Sequence, residues 1–283
     1  MIPRADTVAG RLLRTPRAVF GMAVILLVLL GAVFADAVMP HLSEDMDFDN
    51  LLSGPTWLHL LGTDQLGRDT LSRLILGSQV ALQVSVGAVG LGVVIGVPLG
   101  LVSVTIGGWV DDAIMRVMDA IVVFPSLLVA VALAAAIGNS LGTVIVAIGI
   151  ANVPWLARIT RSQALGVRSL DFVAAAEAAG SSRIKIMLRH ILPNAIAPVI
   201  VQATLGMGYA VLAEAALGFI GVGVTPPTPT WGNMLQAAFP FLELQPALSI
   251  APGVAIFLLV LAFNLLGDAL RDILDPRLRG VVR

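Results

Sequence analysis

Four stretches of this chain run without a charged side chain: Leu74 to Val110, Ala120 to Ala157, Ile191 to Ala213 and Leu244 to Gly267. A membrane-spanning helix needs about 20 consecutive apolar residues, and each stretch reaches that length. Composition agrees. Only 12% of residues are charged and 58% are hydrophobic, whereas an ordinary soluble domain is about 25% charged. The expected fold is all-α, that of a polytopic membrane protein.

Hydropathy places six transmembrane helices: Ala18 to Val38, Gln79 to Val104, Ile114 to Ile137, Leu141 to Ala157, Asn194 to Leu217 and Leu248 to Gly267. The run from Ala120 to Ala157 would be ~57 Å long as one helix against a hydrocarbon core of ~30 Å. It must divide, and Gly138, Asn139 and Ser140 supply the turn. The first span follows Arg4, Arg11, Arg14 and Arg17, and Ala35, Asp36 and Ala37 resemble a leader cleavage site. Leader cores run about 7 to 15 residues and this stretch is longer, so a retained span is expected. Three parts result: residues 1–78 with the first span and an external segment, a five-helix core at 79–272 containing a cytoplasmic loop at 168–192, and a tail at 273–283.

Orientation follows from Lys and Arg, which concentrate on the cytoplasmic side. With the N-terminus inside, the inner pieces hold Arg4, Arg11, Arg14, Arg17, Arg158, Arg161, Arg168, Arg183, Lys185, Arg189, Arg271, Arg277, Arg279 and Arg283, fourteen of the seventeen basic residues. Both termini and the segment from Arg158 to Leu192 are thus expected in the cytoplasm. Arg68 and Arg73 fall outside, and Arg116 lies near the inner end of the third span. The external segment opens with Glu44, Asp45, Asp47 and Asp49, read as a solvated face in preference to an acidic contact surface. The last outer loop, Gly221 to Pro246, is rich in proline and carries Trp231; its irregular backbone cannot lie in lipid.

Gly87, Gly90, Gly92, Gly96 and Gly100 crowd the second span, spacing that suits close helix packing, and Pro98 is expected to kink it. No catalytic constellation stands out. His41, His59 and His190 are scattered without metal-ligand spacing to Asp or Glu, cysteine is absent, and no Gly-rich loop is followed by Lys and Ser or Thr. The chain is therefore expected to hold no metal, no cofactor and no ATP. Ionisable groups within spans are costly and often functional. Glu214 is the clear instance, as a structural hydrogen-bonding group or as a path-lining one; Asp36, Arg116 and Asp119 lie nearer span ends.

The cytoplasmic loop is the long charged interruption among these runs. Asp171 to Ala179 predicts a helix of small residues, with Asp171 at its positive end and Gly180 at its C-terminal cap. Ser181 or Ser182 then caps a second helix in which Ile184, Met187, Leu188 and Ile191 follow helical spacing, with Arg183, Lys185 and Arg189 largely off that stripe. Pro193 marks the next span. Alanines Ala174, Ala175 and Ala176 leave a smooth surface that suits the groove of a partner protein better than lipid headgroups, to which alanine adds little affinity.

This loop resembles the EAA loop of binding-protein-dependent ABC importer permeases: Glu-Ala-Ala, three residues, Gly, nine residues, then Ile, any residue, Leu and Pro. Ala175, Ala176, Gly180, Leu192 and Pro193 match it. Ala174 stands where the family often has Glu and His190 where it often has Ile; Glu177, one turn later, is the candidate replacement for the missing carboxylate. Residues His59 to Arg73, including Gly62, Thr63, Asp64, Gly67, Arg68 and Asp69, resemble the external signature of the C-type permease of dipeptide and oligopeptide importers. Pro229 to Met234 resembles that group's last outer loop, and Pro252 to Phe257 with Ala262 to Arg277 its closing span and tail. Together these cover almost the whole chain.

The resemblance implies a type I ABC importer transmembrane-domain fold in the bacterial cytoplasmic membrane. It further implies a B-type permease that shares the translocation path, two ABC ATPase subunits that carry ATP and magnesium, and an external solute-binding protein. Nucleic acid has no part in it. The cargo implied is a dipeptide or short oligopeptide, with nickel chelates, haem or another small solute as alternatives for the same machine. Two other classes compete: a proton-driven carrier, against which the missing relay of intramembrane ionisable groups argues, and a structural subunit that anchors a cytoplasmic partner.

Overall fold

The computed structural model describes residues 7–274; Arg4, the tail from Asp275 onward and its Arg277, Arg279 and Arg283 lie outside them. Every element among the described residues is helical, apart from one isolated bridge between Thr63 and Asp69. The chain opens with α1 (Val8–Arg14), α2 (Pro16–Val33) and α3 (Ala35–Val38). After the external segment come α4 (Thr70–Ile106), α5 (Gly108–Val123), α6 (Ser126–Ile137) and α7 (Leu141–Arg168). The loop forms α8 (Asp171–Ala178) and α9 (Arg183–Ile186), and α10 (Leu192–Phe219), α11 (Trp231–Ala238) and α12 (Ala247–Leu274) complete the bundle.

Five helical stretches are long and apolar enough to cross a membrane: α2, α4, α7, the continuous run Arg183–Phe219, and α12. The stretch expected as the third span is not one straight helix. In place of one helix from Ile114 to Ile137, α5 and α6 meet at a bend of 86°. Proline has no N–H to donate and pushes the residue before it out of helical geometry. Phe124 accordingly sits at φ −84, ψ 124 ahead of Pro125.

Several helices outrun the apolar stretches that define them. α4 spans 37 residues, ~55 Å at 1.5 Å per residue, and begins nine residues before Gln79 because the Asp69 side chain caps it by accepting from the Ser72 N–H at 2.8 Å. α7 continues past Ala157 to Arg168, since the charge of Arg158, Arg161 and Arg168 excludes them from lipid, not from a helix. Arg161 then reaches Asp111 of α5 with two hydrogen bonds of 2.6 Å, and Arg158 pairs with Asp119 at 2.6 Å. Arg168 donates to the Val104 carbonyl and Arg17 pairs with Asp272, so all these charges gather at one end of the bundle.

α4 and α7 form the central pair. A Cβ on Gly96 would lie 2.7 Å from the Val153 carbonyl oxygen, and one on Gly100 only 2.5 Å from that of Ala157. Gly92 likewise faces Asn152 and Leu156 at 3.0 Å. Spans in lipid associate by such close packing, as no hydrophobic force drives them together. Gly90 is different, with open space around it. On the other flank Gly21 of α2 closes on the Ala262 carbonyl of α12, 2.7 Å from an added Cβ.

Gly100→Val should therefore destabilise the bundle by about 1–3 kcal/mol, the usual cost of overpacking. Gly90→Val should leave it unchanged. Unfolding midpoints of the two variants in mixed micelles check the contrast, and equal midpoints would contradict the role assigned to Gly100.

Candidate coupling loop and external clamp

The loop from Arg168 to Leu192 folds as its residues dictate. α8 ends in a Schellman motif: the Ser181 N–H donates to Ala176 O at 3.1 Å and the Gly180 N–H to Glu177 O at 2.9 Å. Gly180 sits at φ +78, a conformation that costs any residue with a Cβ. Ser182 caps α9 through its hydroxyl, which accepts from the Lys185 N–H at 3.4 Å.

Val173 anchors this loop. It is 1% exposed and packs into a core cluster with Val97, Leu101 and Val104 of α4, Leu156, Ala164 and Val167 of α7, and Ala195 and Val199 of α10. Ala176 lies against the same cluster. Asp171, Ala174, Ala175, Glu177 and Gly180 are exposed, as are Arg183, Lys185 and Arg189. Ala174 and Glu177 stand three residues apart, one helical turn, on this outward side.

The second half of the loop departs from a separate amphipathic helix. α9 runs without a break through a π-helical turn, Met187–Ile191, into α10. The Leu192 N–H donates to Met187 O, five residues back. Pro193 explains it: its ring would crowd the carbonyl four residues earlier in a regular helix, and the wider turn relieves that clash. Asn194 donates its side-chain amide to the His190 carbonyl at 2.7 Å. The extra residue also rotates the stripe. Ile186 and Ile191 are buried, while Ile184 at 67% and Leu188 at 52% are exposed. Leu170 and Phe172 join them as exposed apolar side chains, so the stripe expected from Ile184, Met187, Leu188 and Ile191 is only half buried.

At the other end of the bundle, the segment from His59 to Arg73 is a knot of hydrogen bonds. Asp64 Oδ1 accepts from the backbone N–H of Leu66 at 2.8 Å and of Arg68 at 3.0 Å, while Oδ2 accepts from Arg68 Nε at 2.8 Å. Thr63 donates its hydroxyl to Asn50 O and accepts from the Ser53 N–H at 3.0 Å. Gly62 and Gly67 have φ of +78 and +75, and a Cβ on Gly67 would lie 2.1 Å from Asp47 O. Arg73 Nη1 donates to Ser43 O at 3.2 Å. Asp47 is part of this knot, unlike its exposed acidic neighbours Glu44, Asp45 and Asp49. The Asn50 side-chain amide, bonded to it at 2.8 Å, is the main cause holding its carboxyl below the usual aspartate value, helped by the Asp49 N–H.

Folding also gathers residues that looked scattered. His41 and His59 stack with ring centroids 4.8 Å apart, and His59 Nδ1 lies 2.9 Å from Asp69 Oδ1. The segment between them doubles back on itself, which residue spacing alone does not show. His190 stays apart, its ring 6.4 Å from that of Phe172. Trp231 is buried and donates to the Leu74 carbonyl at 2.9 Å, tying the last outer loop to α4. Glu214 is 1% exposed, and its Oε1 has no hydrogen-bond partner. It lies on the part of α10 where Ala215 and Gly218 touch Gly232 of α11. A cavity between α7, α10 and α12 is lined by Gln163, Asn194, Gln202 and Arg271, of which Asn194 and Gln202 fall within a hydropathy span.

A bundle of this kind, with a loop held at one end and a clamped segment at the other, is that of a multi-pass membrane protein. Residues 89–280 match the model of the binding-protein-dependent transport system inner membrane component, and residues 6–55 that of the N-terminal TM domain of oligopeptide transport permease C. A dipeptide transport system permease protein, DppC, of Alkalihalophilus pseudofirmus is 41% identical over 93% of this chain and 86% of its own length. A glutathione transport system permease protein, GsiD, of Escherichia coli is 40% identical over 90% of this chain and 85% of its own. In fold, a chain of the inward-facing MetNI methionine ABC transporter superposes with a TM-score of 0.59 at 19% identity, over 75% of this chain and 97% of that one. The chain belongs to the family of binding-protein-dependent transport system inner membrane components and is the permease of an ABC importer.

Asp64→Ala removes the acceptor for two backbone N–H groups and a largely buried guanidinium, and breaking a buried pair costs about 3–5 kcal/mol. Amide exchange between Asp47 and Asp69 should accelerate while α7 and α12 keep their protection. Unchanged exchange in the external segment would refute the clamp.

Proposed function

We propose that this chain is the C-type permease subunit of an importer whose cargo is a dipeptide or short oligopeptide. The 41% and 40% identities to permeases named for dipeptide and glutathione transport support a peptide cargo. In this reading a B-type permease completes the path and an external solute-binding protein delivers the ligand. Two ABC ATPase subunits bind ATP and magnesium; this chain binds neither, carries out no hydrolysis and holds no organic cofactor. It sits in the cytoplasmic membrane of a bacterium with both termini in the cytoplasm, as the distribution of its basic residues supports.

One observation carries the mechanism: α8 presents an outward face while Val173 is locked into a cluster built from α4, α7 and α10. An ATPase groove that seats Ala174, Ala175 and Glu177 would move three spans at once. Close-packed interiors transmit displacement with little loss. The exposed Leu170, Phe172, Ile184 and Leu188 widen that contact, and Arg183, Lys185 and Arg189 offer it charge. Closure of the ATPases on ATP then rocks the spans between inward-open and outward-open states.

The lack of cysteine makes labelling clean. A thiol placed at Ser182 should react only from the cytoplasm and one at Leu244, 69% exposed, only from outside; the reverse pattern would overturn the orientation. In vesicles holding the complete importer, Gly180→Trp should insert normally, keep ATP hydrolysis and lose at least about tenfold in peptide uptake, since αL geometry disfavours a Cβ by ~1–2 kcal/mol and the indole would project into the docking face. Normal uptake by this variant would refute the coupling role, and uptake that ignores vanadate but stops when a proton gradient collapses would identify a carrier instead.

A further inference from the structure

His41, His59 and Asp69 come from separate points of the external segment, yet each offers a ligand atom within 4.8 Å of the others. We propose that His41, His59 and Asp47 bind a first-row divalent cation of the zinc class, with Asp69 orienting His59 from behind. The cation would brace the external segment onto the start of α4.

Hydrogen bonding fixes both imidazoles in the form a metal needs. Asp69 Oδ2 accepts from the Ser72 N–H and hydroxyl, both at 2.8 Å, so the carboxylate serves as an acceptor throughout. His59 Nδ1, 2.9 Å from Asp69 Oδ1, must therefore donate. That leaves a lone pair on His59 Nε2, which is buried and has no hydrogen-bond partner in a residue only 4% exposed. His41 follows the same logic. Its Nε2 lies 2.9 Å from the Leu58 carbonyl, which can only accept, so His41 Nδ1 keeps its lone pair. Carboxylate or carbonyl behind each imidazole is the usual second layer of a metal site, setting the tautomer and raising ligand basicity.

Asp47, whose Oδ2 also accepts from the Asn50 amide at 2.8 Å, would supply the third ligand. Asp47 Oδ2 lies 3.6 Å from His59 Nε2, too far for a hydrogen bond. Two ligands held at ~2.0–2.1 Å by a tetrahedral ion sit ~3.3–3.4 Å apart, close to that spacing. Two imidazoles and one carboxylate favour zinc over magnesium or calcium, which prefer all-oxygen shells, and leave a fourth position for water. Bound there, the ion would join three pieces of chain: the entry to the external segment at His41 and Asp47, its tip at His59, and α4 through Asp69, the N-cap of that helix.

The test is calorimetric titration of the full chain, stripped of metal by a chelator and held in lipid nanodiscs, with zinc chloride. Saturable binding of one zinc per chain is expected, with X-ray absorption showing two imidazole ligands. His59→Gln and His41→Gln should each abolish tight binding, and Asp69→Asn should weaken it by about 10–100-fold. His41 is only partly buried, so His41→Gln should melt like the parent chain in chelator, separating lost binding from lost folding. Absence of saturable zinc uptake, full affinity in both histidine variants, or equal affinity for calcium would overturn the assignment.

Discussion

The approach of α4 to α7 is the contact on which the rest of the bundle depends. In lipid, apolar side chains gain nothing by leaving hydrocarbon for one another, so association rests on packing and on how near the backbones come. Gly92, Gly96 and Gly100 recur every four residues along α4, and α7 answers with Val153 and Ala157 carbonyls at distances that admit no Cβ. Once this pair is set, α7 carries Arg158 and Arg161 to their partners on α5, and Val97, Leu101, Leu156 and Ala164 form the floor on which the loop rests. The position of α8 is thus a consequence of glycines some seventy residues earlier in the chain.

The two ends of the bundle solve opposite problems. At one end, Thr63, Asp64, Arg68 and Asp69 satisfy one another and the backbone, and Gly62 and Gly67 allow stretches of chain to touch. Buried polar groups cost heavily unless paired, and paired they specify one conformation. At the other end, the loop keeps Val173, Ile186 and Ile191 in the core and leaves other apolar side chains, Phe172, Ile184 and Leu188 among them, exposed. A polar knot suits a segment that must hold its shape, whereas an incompletely buried helix suits a surface completed by another subunit.

Most of the spans and both helix caps of the loop were legible because they rest on local rules: uncharged length, the φ of Gly180, the hydroxyl of Ser182. Features that hinge on one residue's effect at a distance were not. Pro125 lies inside an apolar run, where hydropathy sees only continuity, yet it splits the third span; Pro193 acts four residues upstream, and the π turn it demands moves Leu188 from the inner face to the outer. His41 and His59 are eighteen residues apart with nothing periodic between them. Just beyond them, Gly62 and Gly67 bring the chain back against the Ser53 and Asp47 carbonyls, a fit that no spacing shows. The outward face of α8 was readable from its alanines, but its attachment was not, since a lone valine among alanines carries no stripe.

That valine also decides how the loop can respond to force. If α8 moved alone, Val173 would leave its pocket, and exposing a buried valine side chain costs about 1.5–3 kcal/mol. Ala176 would add to this, and the Schellman bonds at Gly180 resist bending at the other end. Moving α8 together with α4, α7 and α10 breaks none of these contacts. The route of least cost is therefore displacement of the packed unit as a whole. The exposed alanines favour that route further, because side chains without rotamers to rearrange cannot absorb a push before it reaches the core.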